Sequence, residues 1–235
     1  MDAALLEALE ATWPPAEAAR FGGLVVGRGA GGGGRLSSIR QVGEWGGADL
    51  VAALARQAEW GEAPLIRVLD GQEQLAAAAR ARGMATRQPT AILSAPIADL
   101  AAEVPPITAF ALWPPLAIQR ALWAAHGITP ARQAAMARVM GPRVALLGRI
   151  EDSAAGTGFC AVQGPVAGLH ALLVEPALRG GGLGEWMVRR AAIWAQGQGA
   201  RVMMLAVIRE NAPALRLYNR MGFRETAGYA YFHAP

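Results

Sequence analysis

Residues 169–184 read LHALLVEPALRGGGLG, and the order of the parts matters more than their composition. An almost wholly apolar strand enters a glycine-rich turn, and from Leu183 to Gln196 apolar residues recur at helical spacing. A loop that opens a helix in this way presents the free N–H groups of the first turn and the positive end of the helix dipole to whatever occupies it, and its glycines let an anion approach the backbone. The underlying pattern, Arg/Gln-x-x-Gly-x-Gly/Ala, also matches at Arg28 and at Arg80. Residues 29–34 read as a hairpin tip, because the alternating RLSSIRQV that follows is a strand pattern; this also argues against a dinucleotide fingerprint, which needs a helix there. Arg80 lies at the end of a helix leading into a strand. Only the Arg179 match follows a strand and opens an amphipathic helix. A P-loop is excluded, because the chain contains no lysine.

Working outward, the second half reads β-α-α-β-β-β-α-β-α-β. Strands are expected at Ile107–Leu112, Val144–Ile150, Thr157–Val162, Val166–Val174 and Val202–Ile208, with a further strand or two at the end. Helices are expected at Leu116–His126, Pro130–Met140, Leu183–Gln196 and Ala212–Met221; Thr129 and Pro130 supply the start of the second. Val202–Ile208 is apolar at every position, as a strand buried on both faces must be. In the first half, strands are expected at Phe21–Val26, Leu36–Val42, Leu65–Leu69 and Thr90–Leu93, and helices at Asp49–Trp60 and Gln72–Arg82. Ser94–Pro106, small and proline-punctuated, reads as the linker, dividing the chain into domains 1–102 and 103–235. A faint repeat, PLIRVLDGQEQLAAAARARGM against MMLAVIRENAPALRLYNRMGF, suggests two related halves. The fold class is α/β, a mixed sheet rather than a regular βαβ repeat.

The 235 residues are 53% hydrophobic and 17% charged, which excludes extended disorder. Prolines 105, 106, 114 and 115 interrupt the longest relevant uncharged stretch, so no membrane span is expected; the acidic MDAALLEALE start is unlike a signal peptide and points to a cytoplasmic protein. The single cysteine, Cys160, excludes an internal disulfide and any cysteine-cluster metal site, and no metal is expected. All 22 basic residues are arginine; residues 1–102 hold 9 against 11 acids, and 103–235 hold 13 against 7. A basic second half suits an anionic ligand, yet the arginines are scattered and no nucleic-acid signature appears.

Together with NAPALRLYNRMGF at 211–223, one helix and one buried strand downstream, LHALLVEPALRGGGLG makes the second half resemble the GNAT acetyltransferase superfamily. The resemblance implies a GNAT fold for 103–235, with 1–102 a shortened, degenerate GNAT-like copy as in tandem GNAT proteins. It implies acetyl-CoA as cosubstrate and N-acetyl transfer to an amine of a small molecule or peptide, by direct attack with both substrates bound. Leu172 and Val174 would line a splayed strand holding the pantetheine arm, and a backbone N–H near Val174 would stabilise the oxyanion. The N–H groups of Arg179, Gly180, Gly181, Gly182, Leu183 and Gly184 would hold the pyrophosphate. Asn211 matches a cofactor contact and also reads as an ordinary N-cap. Tyr218 matches the tyrosine that protonates the departing thiolate; on helical spacing alone it is a core residue. Gly168 stands where many members carry a basic glutamate, leaving His170, two residues on, as a candidate base, with Glu175 and Glu151 as rivals. Glu185, just after the loop, is expected to point to solvent, and Cys160 to serve packing. The competing reading is a non-catalytic acyl-CoA-binding module, and an interface role for the first half, including a homodimer, stays open.

Overall fold

Asp2 starts the first helix, α1 (Ala3–Ala11), by accepting a hydrogen bond from the Ala4 N–H at 3.0 Å. This helix, unforeseen in the sequence reading, buries Leu5, Ala8 and Leu9. The structure, a computed structural model, describes residues 2–234, and the chain divides into two interleaved units. The smaller comprises Pro14–Ala91, Ile208–Glu210 and the chain from Ala227 onward; the larger comprises the chain up to Trp13, Ile92–Val207 and Asn211–Thr226. This division departs from the expected break at 102/103 in both directions. Among the described residues, no helix is long and apolar enough to cross a membrane.

In the smaller unit, β1 (Glu17–Phe21) and β2 (Leu24–Arg28) form a hairpin, where a single strand over Phe21–Val26 was expected. The glycine-rich segment after Arg28 is, as expected, part of a connection between two antiparallel strands, Val26 lying opposite Ile39. It leads into a single helical turn, α2 (Gly34–Ser37), before β3 (Ile39–Gln41), which replaces the expected strand Leu36–Val42. Helix α3 (Gly47–Glu59) then crosses to β4 (Leu65–Leu69), parallel to β3, and α4 (Glu73–Arg80) follows. The core is Leu24, Val26, Ile39, Leu50, Ile66 and Leu75, all fully buried.

The next strand, β5, runs Ala85–Pro96 and continues into the short helix α5 (Ile97–Leu100), so the start of the expected linker is a strand. Its composition misled because Ala95, Ile97 and Leu100 are small or apolar for burial, not for flexibility.

The larger unit follows the expected order: β6 (Ala109–Leu112), α6 (Ala117–Ala125), α7 (Pro130–Arg138), β7 (Arg143–Ile150), β8 (Ser153–Gln163), β9 (Val166–Val174), α8 (Leu183–Gly197), β10 (Val202–Ile208) and α9 (Ala212–Arg220). Strands β6 to β9 pair antiparallel in sequence order, and β10 lies parallel to β9. Helix α8 sits close on the sheet because Gly148 and Gly156 leave room for it: a Cβ on either would come within 2.6 and 2.9 Å of Met187 Sδ.

The last strand, β11 (Arg224–His233), pairs antiparallel with β4 in the smaller unit, Tyr229 opposite Leu69. Reciprocally, β5 lies beside β10. Each strand–helix pair, β4–α4 and β10–α9, therefore has as its neighbour the strand that follows the other pair.

Candidate active site

Pairing between β9 and β10 covers Val166–Leu169 against Val202–Leu205 and stops there, although the strands continue to Val174 and Ile208. The cause lies in β9. Phe159 of β8 faces His170, but Thr157 faces Leu173, so β9 carries an extra residue, and Ala171 has φ 50°. The bulge is held from outside: Trp123, fully buried in α6, donates its indole N–H to the Ala171 carbonyl at 2.9 Å.

The extra residue also reverses the strand's alternation. A regular strand would put His170, Leu172 and Val174 on one face. Instead, a Cβ on Gly184 of α8 would lie 3.8 Å from a Val174 methyl, and one on Gly158 would lie 3.1 Å from Leu172 Cδ1, so these two residues share the α8 face. His170 packs on the opposite face against Thr12 and Trp13, just beyond α1. Glu175, one residue past Val174, reaches His126 at the end of α6, with Nε2 to Oε1 at 3.0 Å.

The glycine loop occupies the expected place. Gly182 is the N-cap of α8 in the left-handed conformation (φ 83°) and offers no side-chain acceptor. The amides of Leu183 and Gly184 therefore open the fifteen-residue helix without an intrahelical partner. Nothing lies within 4 Å of a Cβ added at Gly180 or Gly181, so the loop rim is open. Arg179 ties the loop to the strand end, its Nε donating to the Val174 carbonyl at 3.0 Å. Glu185 does not point to solvent as expected. Its carboxylate takes Arg189 Nε and Nη2 at 3.1 and 2.7 Å and lies 3.8 Å from Arg220, facing a cavity of about 230 Å³ that Asp99 and Leu100 also line. Two guanidinium groups compensate the charge beside the loop.

Asn211 is an N-cap, its Oδ1 accepting from Ala214 N–H at 3.3 Å. Tyr218, on the buried side of α9, is 8% exposed and packs edge-on to Phe223, centroids 5.5 Å apart. Burial pushes its hydroxyl up to about 12, so it stays protonated at neutral pH. Among the described residues that hydroxyl has no hydrogen-bond partner, which leaves it available to a ligand. Cys160 is fully buried, its thiol also pushed up to about 12, the state of an inert packing residue.

His170 is the sequence-derived candidate whose surroundings fit least. It is 7% exposed, lodged among Trp13 and Phe159, and its Nε2 lies 2.8 Å from Thr12 Oγ1. That hydroxyl donates to the Ala8 carbonyl at 2.6 Å, so Nε2 is the donor toward it. Glu151 sits in the turn between β7 and β8 with φ 52°. Sequence reasoning missed Thr12, Trp123 and His126 as partners of β9: no local signal marks a contact between residues so far apart in the chain. Near Arg28, the Gly29 and Ala30 N–H groups donate to Glu62 Oε1 at 2.8 and 2.9 Å, so a carboxylate of the chain already occupies that loop.

Residues 117–223, the stretch containing the bulge, loop, α8 and α9, match the profile of the Acetyltransferase (GNAT) family. Over that stretch the chain is similar to GNAT acetyltransferases. An uncharacterized N-acetyltransferase of Methanocaldococcus jannaschii is 38% identical over 60 residues, 26% of this chain and 26% of that protein. Streptothricin acetyltransferase of Streptomyces lavendulae is 46% identical over 50 residues, 21% of this chain and 26% of that one. The chain thus matches about a quarter of the length of these two curated relatives. A GCN5-related N-acetyltransferase from Kribbella flavida has a similar fold, with a TM-score of 0.69 at 20% identity, covering 99% of this chain and 93% of that one. The GNAT-type mixed α/β fold expected from the sequence is therefore the fold observed.

Proposed function

We infer that the protein is an acetyl-CoA-dependent N-acetyltransferase acting on a primary amine of a small molecule or peptide. The observation that carries this reading is the gap between β9 and β10 beyond Leu169 and Leu205, opening next to the amides of Gly182 to Gly184. A thioester arm needs a strand edge to follow, and a pyrophosphate needs free N–H groups; this corner of the larger unit offers both. In this reading the backbone of Leu172 to Val174 binds the pantetheine arm and the loop from Arg179 to Gly184 binds the pyrophosphate. Asn211 keeps its amide N–H₂ for the same ligand while its oxygen caps α9.

Acetyl-CoA, when bound, supplies an activated acyl group, and residues of this chain would do the rest. A backbone N–H at the end of β9 would face the developing oxyanion, and Tyr218 would donate its proton to the departing sulfur. Glu175 stands at the same strand end, on the face opposite the loop, where an amine would meet the thioester through the gap. His170 is set aside as base because Thr12 holds its Nε2 and aromatic rings surround it. The first half is in this reading a degenerate sister of the second; the repeated strand–helix–strand unit and its reciprocal strand exchange support that. The Glu62 carboxylate in its loop argues against a second cofactor site there.

The test is calorimetric titration with acetyl-CoA. Saturable binding is expected in the parent protein and its loss in Gly182→Leu, where a side chain would have to adopt the left-handed conformation against Trp186, 3.6 Å away. A folded parent that fails to bind refutes the reading; binding without turnover of any amine supports the non-catalytic alternative.

A further inference from the structure

The end of α6 is closed by a Schellman motif: Ile128 N–H donates to the Trp123 carbonyl at 2.9 Å, Gly127 N–H to the Ala124 carbonyl at 3.3 Å, and Gly127 has φ 79°. This fixes His126 at the C-cap, three residues after Trp123 and therefore on the same side of the helix. One helix end thus grips β9 at the bulge carbonyl through Trp123 and the residue just past the strand, Glu175, through His126.

A carboxylate only accepts hydrogen bonds, so the neutral ring turns its Nε2–H to Glu175 and keeps the lone pair on Nδ1. Among the described residues Nδ1 has no partner. The two side chains are 26% and 28% exposed, open to a solute yet partly shielded. A positive charge on the imidazole would face both the Glu175 carboxylate and the carbonyl end of α6.

We propose that His126, oriented by Glu175, is the base that takes the proton from the acceptor ammonium. The proposal rests on the acetyltransferase reading above. One N–H bond of the ammonium breaks and an Nδ1–H bond forms; the freed nitrogen lone pair attacks the thioester carbonyl, and the C–S bond breaks. Tyr218 protonates sulfur and recovers a proton from the second one that nitrogen releases, while His126 returns the first to solvent. The products are the amide, the thiol and one solvent proton. His126 is the catalytic residue of the pair, and Glu175 a positioning residue.

The experiment uses the full chain, a panel of primary amines (a polyamine, an aminocyclitol and an amino-acid amide) and thiol release as the signal. With the best acceptor, His126→Ala is expected to lower kcat about 100-fold, to bind acetyl-CoA like the parent, and to regain activity with added imidazole. Glu175→Gln is expected to lose less kcat, and imidazole should not rescue it. Parent-like kcat in His126→Ala, or a rise confined to KM, overturns the proposal, as does failure of imidazole to restore turnover. Loss of acetyl-CoA binding by the parent would instead refute the acetyltransferase reading, and the proposal with it. Acetyl-CoA binding with no amine consumed would remove the base role while leaving the cofactor site intact.

Discussion

Replacing Gly168 by alanine tests whether position 168, expected from the family resemblance to suit a glutamate, is closed in this chain. A Cβ there would lie 2.7 Å from His170 Nε2 and 2.9 Å from Thr12 Cβ, and closer still to the Thr12 hydroxyl. None of these atoms is the end of a long, flexible side chain: Thr12 is fully buried at the end of α1, and His170 is wedged between aromatic rings. The added methyl must break the 2.8 Å Thr12–His170 hydrogen bond or move α1. Overpacking costs about 1–3 kcal/mol, and stranding the buried hydrogen-bonding groups about 1–3 more. The expected destabilisation is about 2–6 kcal/mol, read as a lower urea midpoint with unchanged slope. Thr12→Gly removes two of the three obstructions, so the double variant should be less destabilised than the two single variants added together, by about 1–2 kcal/mol. A Gly168→Ala protein within about 0.5 kcal/mol of its parent, or strictly additive changes, would refute the steric argument. If it stands, a glutamate at 168 has no room, and the proposed acetyl transfer needs a base elsewhere.

Three further outcomes are expected. Trp123→Phe keeps most of the ring but strips the Ala171 carbonyl of its donor, so it should cost about 1–3 kcal/mol in urea unfolding and lower kcat as the bulge loosens; unchanged stability would show that the contact does not hold the strand. Tyr218→Phe preserves the packing on Phe223, so stability should stay within about 0.5 kcal/mol while turnover falls about 100-fold; because burial pushes the parent hydroxyl up to about 12, the parent should show no loss of activity from tyrosine ionisation as the pH rises to the ordinary tyrosine range, about 10. Cys160, buried with its thiol pushed up to about 12, should resist iodoacetamide in the folded protein and react after denaturation, as mass spectrometry would record; prompt native labelling would contradict its burial.

The parts of the site that local chemistry writes were legible. Strand, glycine turn and helix from Leu169 to Gln196 each follow from neighbours a few residues apart, as do the N-caps Thr129 and Asn211. What escaped depends on distant partners. The bulge at Ala171 carries no glycine to announce it, yet it decides that Leu172 and Val174 face α8 while His170 turns toward Thr12. Periodicity alone, which assumes an unbroken strand, would have kept His170 on the face of Leu172 and Val174. His126 read as a helix end, correctly, but only the folded chain brings it to Glu175. The segment at Ser94 looked like a linker because small residues and prolines serve flexible joints and crowded strands alike.

The exchange of β5 and β11 has a consequence for biosynthesis. The smaller unit is assembled mostly from residues that leave the ribosome early, yet its β4 waits for a partner at Tyr229 to His233. Until those residues emerge, β4 presents unpaired N–H and C=O groups, the kind of template on which other chains nucleate. Vectorial synthesis therefore cannot finish the first unit before the second, and a gene cut at codon 102 would release two fragments, each lacking a strand the other carries.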